Sequence, residues 1–169
     1  RQSNLCLEIA LPTKPLNNIN DEEGEIALCT LSAFNLGKLD NLDELDNLAD
    51  LAVRALDALL DYQDYPVIAA KRSSLARRSL GIGVINYAYY LAKHGVRYSD
   101  GSANDLTHRT FEAIQYYLLK ASMNLAKEQG ACEYFHETTY AQGILPIDTY
   151  KKDIDSLTSE PLHYDWESL

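Results

Sequence analysis

Apolar residues recur at intervals of three and four along most of this chain, which is the spacing of amphipathic helices. The pattern predicts helices over residues 41–62, 71–94 and about 103–129. Inside the second of these, Gly81 and Gly83 indicate a place where another backbone packs closely against the helix. The same pair lacks the third glycine and the preceding strand of a dinucleotide-binding motif. The chain is therefore expected to be predominantly helical.

The remaining stretches lack a helical period. Residues 1–37 predict two extended stretches, Leu5 to Ala10 and Glu25 to Ser32, which are joined by a loop rich in proline and asparagine. Residues 131–150 combine aromatic residues with glycine and proline and predict an irregular loop. The sequence from Asp165 onward resembles the first turn of a further helix.

The composition favours a single globular domain or a substantial piece of one. The chain has 169 residues, of which 46% are hydrophobic, and no apolar run approaches the length of a membrane-spanning helix. No secretory leader is visible, and the first residue, Arg1, indicates a processed, truncated or fragmentary chain. Three cysteines do not form a secreted disulfide framework and suit a reducing cytoplasm.

The net charge of −10 disfavours a nucleic-acid polymer as partner, although a small phosphorylated ligand remains possible. Residues 66–129 nevertheless carry a net charge of +5. This central part includes the basic residues Lys71, Arg72, Arg77 and Arg78. We expect them to form a helix face paired with the acidic flanks of the chain.

Chemically, the most informative stretch lies at the start of the chain. In an extended strand Asn4, Cys6 and Glu8 share one face, with consecutive side chains about 6.5–7 Å apart. An amide and a carboxylate could then hold hydroxyl groups while the thiol between them faces a carbon atom. The alternative is an ordinary strand edge with three unrelated polar residues.

The other two cysteines are less informative by themselves. Cys29 lies in an apolar extended stretch, where it could be a buried structural residue or could oppose Cys6 across adjacent strands. Cys132 and His136 form one isolated Cys-x₃-His pair, whereas a zinc site normally needs two such pairs. We therefore predict no metal site at this pair.

Several segments together identify a family. Asn4–Glu8, Leu11–Thr13 and Ala27–Leu36 closely resemble the large, catalytic subunit of class I ribonucleotide reductase. Gly143–Tyr150 and His163–Glu167 are also similar to that subunit. The resemblance extends over essentially the whole chain.

The resemblance implies a fold and a place within it. The family's catalytic domain is a ten-stranded α/β barrel with a radical-bearing cysteine at the tip of a central finger loop. Residues 1–169 would be a segment of that barrel. Residues 1–37 would supply the finger loop and an adjacent strand, and residues 38–169 mainly helices and loops.

The resemblance also implies residue roles. Cys6 would become a thiyl radical that abstracts the ribose 3′ hydrogen, Glu8 would be the general base on the 3′ hydroxyl, and Asn4 would hold the 2′ and 3′ hydroxyls. Cys29 would be one half of the dithiol that reduces the substrate and becomes a disulfide. The substrate would be a ribonucleoside diphosphate, reduced for DNA precursor synthesis.

The family's remaining components would lie outside this segment, which is expected to be inactive alone and to bind no cofactor itself. They include the rest of the large subunit, with its ATP-binding and effector regions. They also include the small subunit, whose di-iron centre and tyrosyl radical supply the thiyl radical, and thioredoxin or glutaredoxin as reductant.

Two alternatives stay open: the adenosylcobalamin-dependent branch of the family, and a non-catalytic helical interaction module with inert cysteines. The segment Gly143–Tyr150 favours the iron-dependent class.

Overall fold

The computed structural model describes residues 2–3 and 9–169. The strands are β1 (Gln2–Ser3), β2 (Ala10–Leu11), β3 (Thr30–Asn35) and β4 (Leu80–Ile85). The helices are α1 (Glu44–Tyr62), α2 (Ile68–Arg77), α3 (Tyr87–Lys93), α4 (Asn104–Gln129) and the single turn α5 (Pro146–Thr149). Short 3₁₀ turns cover Leu36–Lys38, Phe135–Glu137, Tyr140–Gln142, Lys152–Leu157 and Trp166–Ser168.

Helices α1 and α4 form a layer on one face of the β3–β4 sheet. Their buried side chains include Ala49, Val53, Ala121 and Leu125, and Phe34, Leu80 and Ile82 of the two strands pack against them. A second buried cluster joins α1 to α3, α4 and the turn after β3, and it contains Leu36, Leu45, Leu91 and Ala113. Burial of a leucine side chain contributes about 1.5–3 kcal/mol, so these two clusters hold the layer against the sheet.

The first and third predicted helices are confirmed. On α1 the buried residues follow one another at three- and four-residue steps, which places them all on the face toward the sheet: Leu45, Ala49, Val53, Leu56 and Leu60. Helix α4 ends as predicted at Gly130, whose φ of 93° is a conformation that glycine adopts without steric cost.

The prediction of one helix over residues 71–94 is wrong. That stretch contains the end of α2, all of β4 and α3, and β4 pairs in parallel with β3. Arg78 and Asn86, with φ of 49° and 64°, occupy the left-handed region at the two junctions. The physical reason is that residues 80–85 alternate between the core and the opposite face, while Gly81 and Gly83 disfavour a helix. The close neighbours of Gly81 are the side chains of Leu31 and Cys29 on the adjacent segment, whereas a Cβ atom on Gly83 would have no described atom within 4 Å.

The extended and irregular predictions are confirmed in part. The strand near Glu25 to Ser32 exists but is shifted toward the C-terminus, to Thr30–Asn35, while Glu25 makes an isolated antiparallel bridge with Lys14. Most of the stretch predicted for residues 5–10 lies outside the described residues. Residues 131–150 form a loop with single helical turns, as expected. Within residues 2–3 and 9–169, no helix is both long and apolar enough to cross a membrane.

Candidate active site

The face of the β3–β4 sheet that points away from the helices is open. Since Leu80 and Ile82 point toward α1 and α4, Gly81 and Gly83 lie on the opposite face. There they pair with Leu31 and Ala33 of β3, respectively. Three of these four residues are small, and Leu31 is 63% exposed, so this face has room for a bound molecule.

Cys29 lies at the beginning of this open face. It directly precedes β3, is half-buried, and its Sγ is 3.9 Å from the carbonyl oxygen of Thr30. A Cβ atom on Gly81 would lie only 3.0 Å from Cys29 Sγ and 2.5 Å from Leu31 Cδ2. The thiol therefore sits against the glycine backbone of the neighbouring strand. Alternation in β4 could have indicated this role for Gly81, but the helical interpretation hid it.

The three other candidate residues, Asn4, Cys6 and Glu8, lie outside the described residues. Their shared face and their distance from Cys29 stay predictions. In the chain they lie between β1 and β2, which pair in antiparallel register with Ser3 opposite Ala10.

A buried carboxylate anchors the segment that leads to Cys29. Glu25 is 1% exposed, and its Oε2 accepts a hydrogen bond of 2.6 Å from Arg77 Nε. Lys14 Nζ makes an ion pair of 2.8 Å with Oε1. Arg77 also binds Glu137 and lies over the ring of Tyr134, 4.3 Å from its centroid. Sequence analysis missed Glu25, because one acid in an acidic loop carries no local signal that it is buried.

The electrostatics of this cluster favour the ionised pair. Burial by itself raises the pKa of Glu25, but pairing with Arg77 and Lys14 outweighs it and lowers the pKa below its ordinary value. The pKa of Lys14 is raised, chiefly by its bond to Glu25. Glu25 is thus a charged group inside the fold that is stabilised by its two cationic partners.

The expected pairing of the basic central residues is confirmed for three of the four. Besides Arg77, Arg78 binds Asp57 and Asp61 of α1, with distances of 2.5 and 2.8 Å. Arg72 donates to the carbonyl oxygen of Glu22 at 2.8 Å. Lys71 is exposed. These contacts fix α2 between the N-terminal loop and α1.

Cys132 and His136 are not brought together with further metal ligands. In the part of the chain that the structure describes, no group of three or more His, Cys, Asp or Glu side chains could hold a metal ion. Burial raises the pKa of the half-buried Cys132 thiol, which disfavours the reactive thiolate. The His136 ring contacts the carbonyl oxygen of Glu133 at 3.2 Å.

Comparison with known proteins identifies the family. Residues 1–169 match the family described as "Ribonucleotide reductase, barrel domain". The chain is 92% identical to the "Ribonucleoside-diphosphate reductase subunit alpha" of Haemophilus influenzae and 81% identical to the "Ribonucleoside-diphosphate reductase 1 subunit alpha" of Escherichia coli. In both cases all of the chain aligns, and it spans 22% of the relative's length.

A solved structure agrees. The class Id ribonucleotide reductase alpha subunit of Actinobacillus ureae matches 70% of this chain and 23% of its own, with 26% identity and a TM-score of 0.56. The helix layer on a parallel strand pair is accordingly part of an α/β barrel. The chain belongs to the ribonucleotide reductase barrel-domain family.

Proposed function

We propose that the complete protein containing this chain reduces ribonucleoside diphosphates to 2′-deoxyribonucleoside diphosphates. The observation that carries the proposal is the position of Cys29, whose thiol lies against Gly81 at the open face of the parallel strand pair. A thiol held beside small residues leaves space for a ribose next to the sulfur. The substrate class comes from the relatives, which are ribonucleoside-diphosphate reductase alpha subunits.

In this proposal Cys6 starts the reaction. As a thiyl radical it would take the hydrogen from C3′ of the ribose, forming an S–H bond and leaving the radical on carbon. Glu8 would accept the proton of the 3′ hydroxyl, which requires hydrogen-bond reach to that group. Asn4 would orient the 2′ and 3′ hydroxyls by hydrogen bonds.

Cys29 would supply one half of the reducing equivalents. The C2′–O bond breaks, the 2′ hydroxyl leaves as water, and a C2′–H bond forms. Two electrons and two protons come from two thiols, Cys29 and one elsewhere in the complete subunit, which end as a disulfide. The 3′ hydrogen then returns from Cys6 to carbon, which regenerates the thiyl radical, and Glu8 returns its proton to the 3′ oxygen. An external dithiol, thioredoxin or glutaredoxin, reduces the disulfide by exchange.

The same proposal includes partners and location. A small subunit with a di-iron tyrosyl radical would generate the radical, and the protein would work in the cytoplasm.

The outer side of α1 exposes large apolar residues, with Leu51 65% and Tyr62 87% exposed. The rest of the large subunit is expected to cover such positions, since apolar patches on a protein surface mark contact sites.

The test compares the three cysteines in the complete subunit, assayed with its small subunit and thioredoxin. Cys6→Ser and Cys29→Ser should each abolish deoxynucleotide formation. Cys132→Ser is the matched control and should retain it, because burial keeps that thiol protonated. Normal product formation by both Cys6→Ser and Cys29→Ser would refute the proposal and favour a helical interaction module with inert cysteines.

A further inference from the structure

We propose that Glu25 and Arg77 are positioning residues for the Cys29 thiol, an inference that rests on the proposed function. Glu25 lies four residues before Cys29, and Arg77 lies four residues before Gly81. Residues 25–29 and residues 77–81 are therefore joined by an ion pair at one end and lie side by side at the other, where the Cys29 sulfur is next to Gly81. We call these two linked segments the frame.

Backbone hydrogen bonds complete the frame between these two ends. The N–H of Ile26 donates to the carbonyl oxygen of Ala69 in α2 at 3.1 Å. The N–H of Thr30 donates to the carbonyl oxygen of Ser79 at 3.4 Å, at the start of the parallel ladder. These two bonds attach residues 26–30 to α2 at one end and to the residue before β4 at the other.

The cluster also connects the frame to the chain that follows the predicted radical site. Lys14 pairs with Glu25 through its side chain, and the two backbones exchange hydrogen bonds of 3.0 and 3.2 Å. Lys14 lies six residues after Glu8. One buried carboxylate therefore ties the segment after Glu8 to the segment before Cys29, and both are tied to α2 through Arg77. Loss of this charge would loosen the two segments relative to each other.

Loss of the Glu25 charge should impair reduction at C2′ more than hydrogen abstraction at C3′. Of the cysteines, hydrogen abstraction from C3′ needs only Cys6, whereas reduction at C2′ also needs Cys29 in place. If the frame loosens, abstraction continues and reduction fails more often. Glu25→Gln keeps the shape of the side chain and removes the charge. A thiol displaced by about 0.5 Å should lower reduction by about tenfold, given that about 1 Å can cost 100-fold.

The experiment uses the complete subunit with its small subunit and a 3′-deuterated ribonucleoside diphosphate. It measures the number of 3′ bonds cleaved for each deoxynucleotide formed. For Glu25→Gln we expect this ratio to rise about tenfold with little change in KM. Arg77→Lys should give a smaller rise, since lysine keeps a charge that can pair with Glu25 but cannot bind Glu137 at the same time as arginine does. Asp57→Asn is the matched control: it removes one of the two ion pairs of the adjacent Arg78 and should leave the ratio unchanged.

The outcomes separate the two proposals. An unchanged ratio in folded Glu25→Gln, with Cys6→Ser and Cys29→Ser both inactive, overturns the positioning role and leaves the proposed function standing. Full deoxynucleotide formation by the two cysteine variants overturns the function itself. Should Glu25→Gln fail to fold, Lys14→Gln carries the test, because that side chain is 45% exposed and tolerates replacement. The ratio should then rise by at least about twofold, and no rise overturns the proposal.

Discussion

Replacing Gly81 with alanine should lower the activity of the complete subunit and leave its stability nearly unchanged. The added methyl group would lie 2.5 Å from Leu31 Cδ2 and 3.0 Å from Cys29 Sγ. Leu31 is 63% exposed and can rotate away, at a cost of about 0.5–1.5 kcal/mol. Alanine also restricts the unfolded chain, which returns about 0.4–1 kcal/mol. The free energy of unfolding should therefore change by less than about 1 kcal/mol.

Activity should respond much more strongly. Ordinary contact distances between heavy atoms are about 3.5–4.0 Å, so the Cys29 sulfur has to move by about 0.5 Å. A shift of that size lowers the rate by about tenfold, equivalent to about 1.4 kcal/mol in the barrier. Deoxynucleotide formation by the complete subunit and its urea unfolding curve measure the two quantities separately.

Gly83→Ala is the matched control in the same strand. A Cβ atom at that position has no described atom within 4 Å, so the variant should keep its activity and gain slightly in stability. Equal activity of Gly81→Ala and Gly83→Ala would refute the argument that the glycine makes room for the thiol. A loss of more than about 3 kcal/mol in Gly81→Ala would show that the contact is structural instead.

Three further predictions concern stability and its dependence on pH. Glu112 accepts hydrogen bonds from two backbone N–H groups and two rings of residues 163–166, so Glu112→Gln should cost about 1.5–3 kcal/mol in urea unfolding, whereas the exposed Glu128→Gln should shift the unfolding curve much less. The folded-state pKa of Glu25 lies below its ordinary value of 4.5, so its contribution to the stability of the fold is complete above pH 4.5 and is lost as the pH falls through the lowered value. Melting temperatures measured at a series of acid pH values should show this loss in the parent protein and not in Glu25→Gln. A methyl group at Gly37 would lie 2.3 Å from Asn86 Nδ2, so Gly37→Ala should destabilise by about 1–3 kcal/mol, and unchanged melting would contradict the close approach.

The sequence predicts the long helices well because their signal is local. The apolar steps along α1 and α4 appear within a single window of residues, and burial against the sheet follows from them. The strand β4 is different. It is only six residues long, and it is stabilised by parallel pairing with β3, about 50 residues earlier in the chain. The alternation within these six residues is a short signal, and the apolar residues of the flanking helices extended the helical pattern across it.

The candidate site likewise combines features that have a local sequence signal with features that depend on distant parts of the chain. Cys29 could be found from its motif, but the contact with Gly81 and the burial of Glu25 arise only from the tertiary fold. The predicted pairing of the basic central residues is confirmed in general by Arg77 and Arg78. Their individual partners could not be predicted, because many acids of the flanks were equally available by charge alone.

The most direct measurement of the central claim uses Cys6→Ser and Cys29→Ser in the complete subunit with a 3′-deuterated ribonucleoside diphosphate. Hydrogen abstraction comes before reduction, so the two variants should fail at different steps. Cys6→Ser should lose both product formation and cleavage of the 3′ bond. Cys29→Ser should lose normal product and keep some 3′ cleavage. Normal deoxynucleotide formation by both variants would show that neither thiol takes part in the chemistry and would contradict the account.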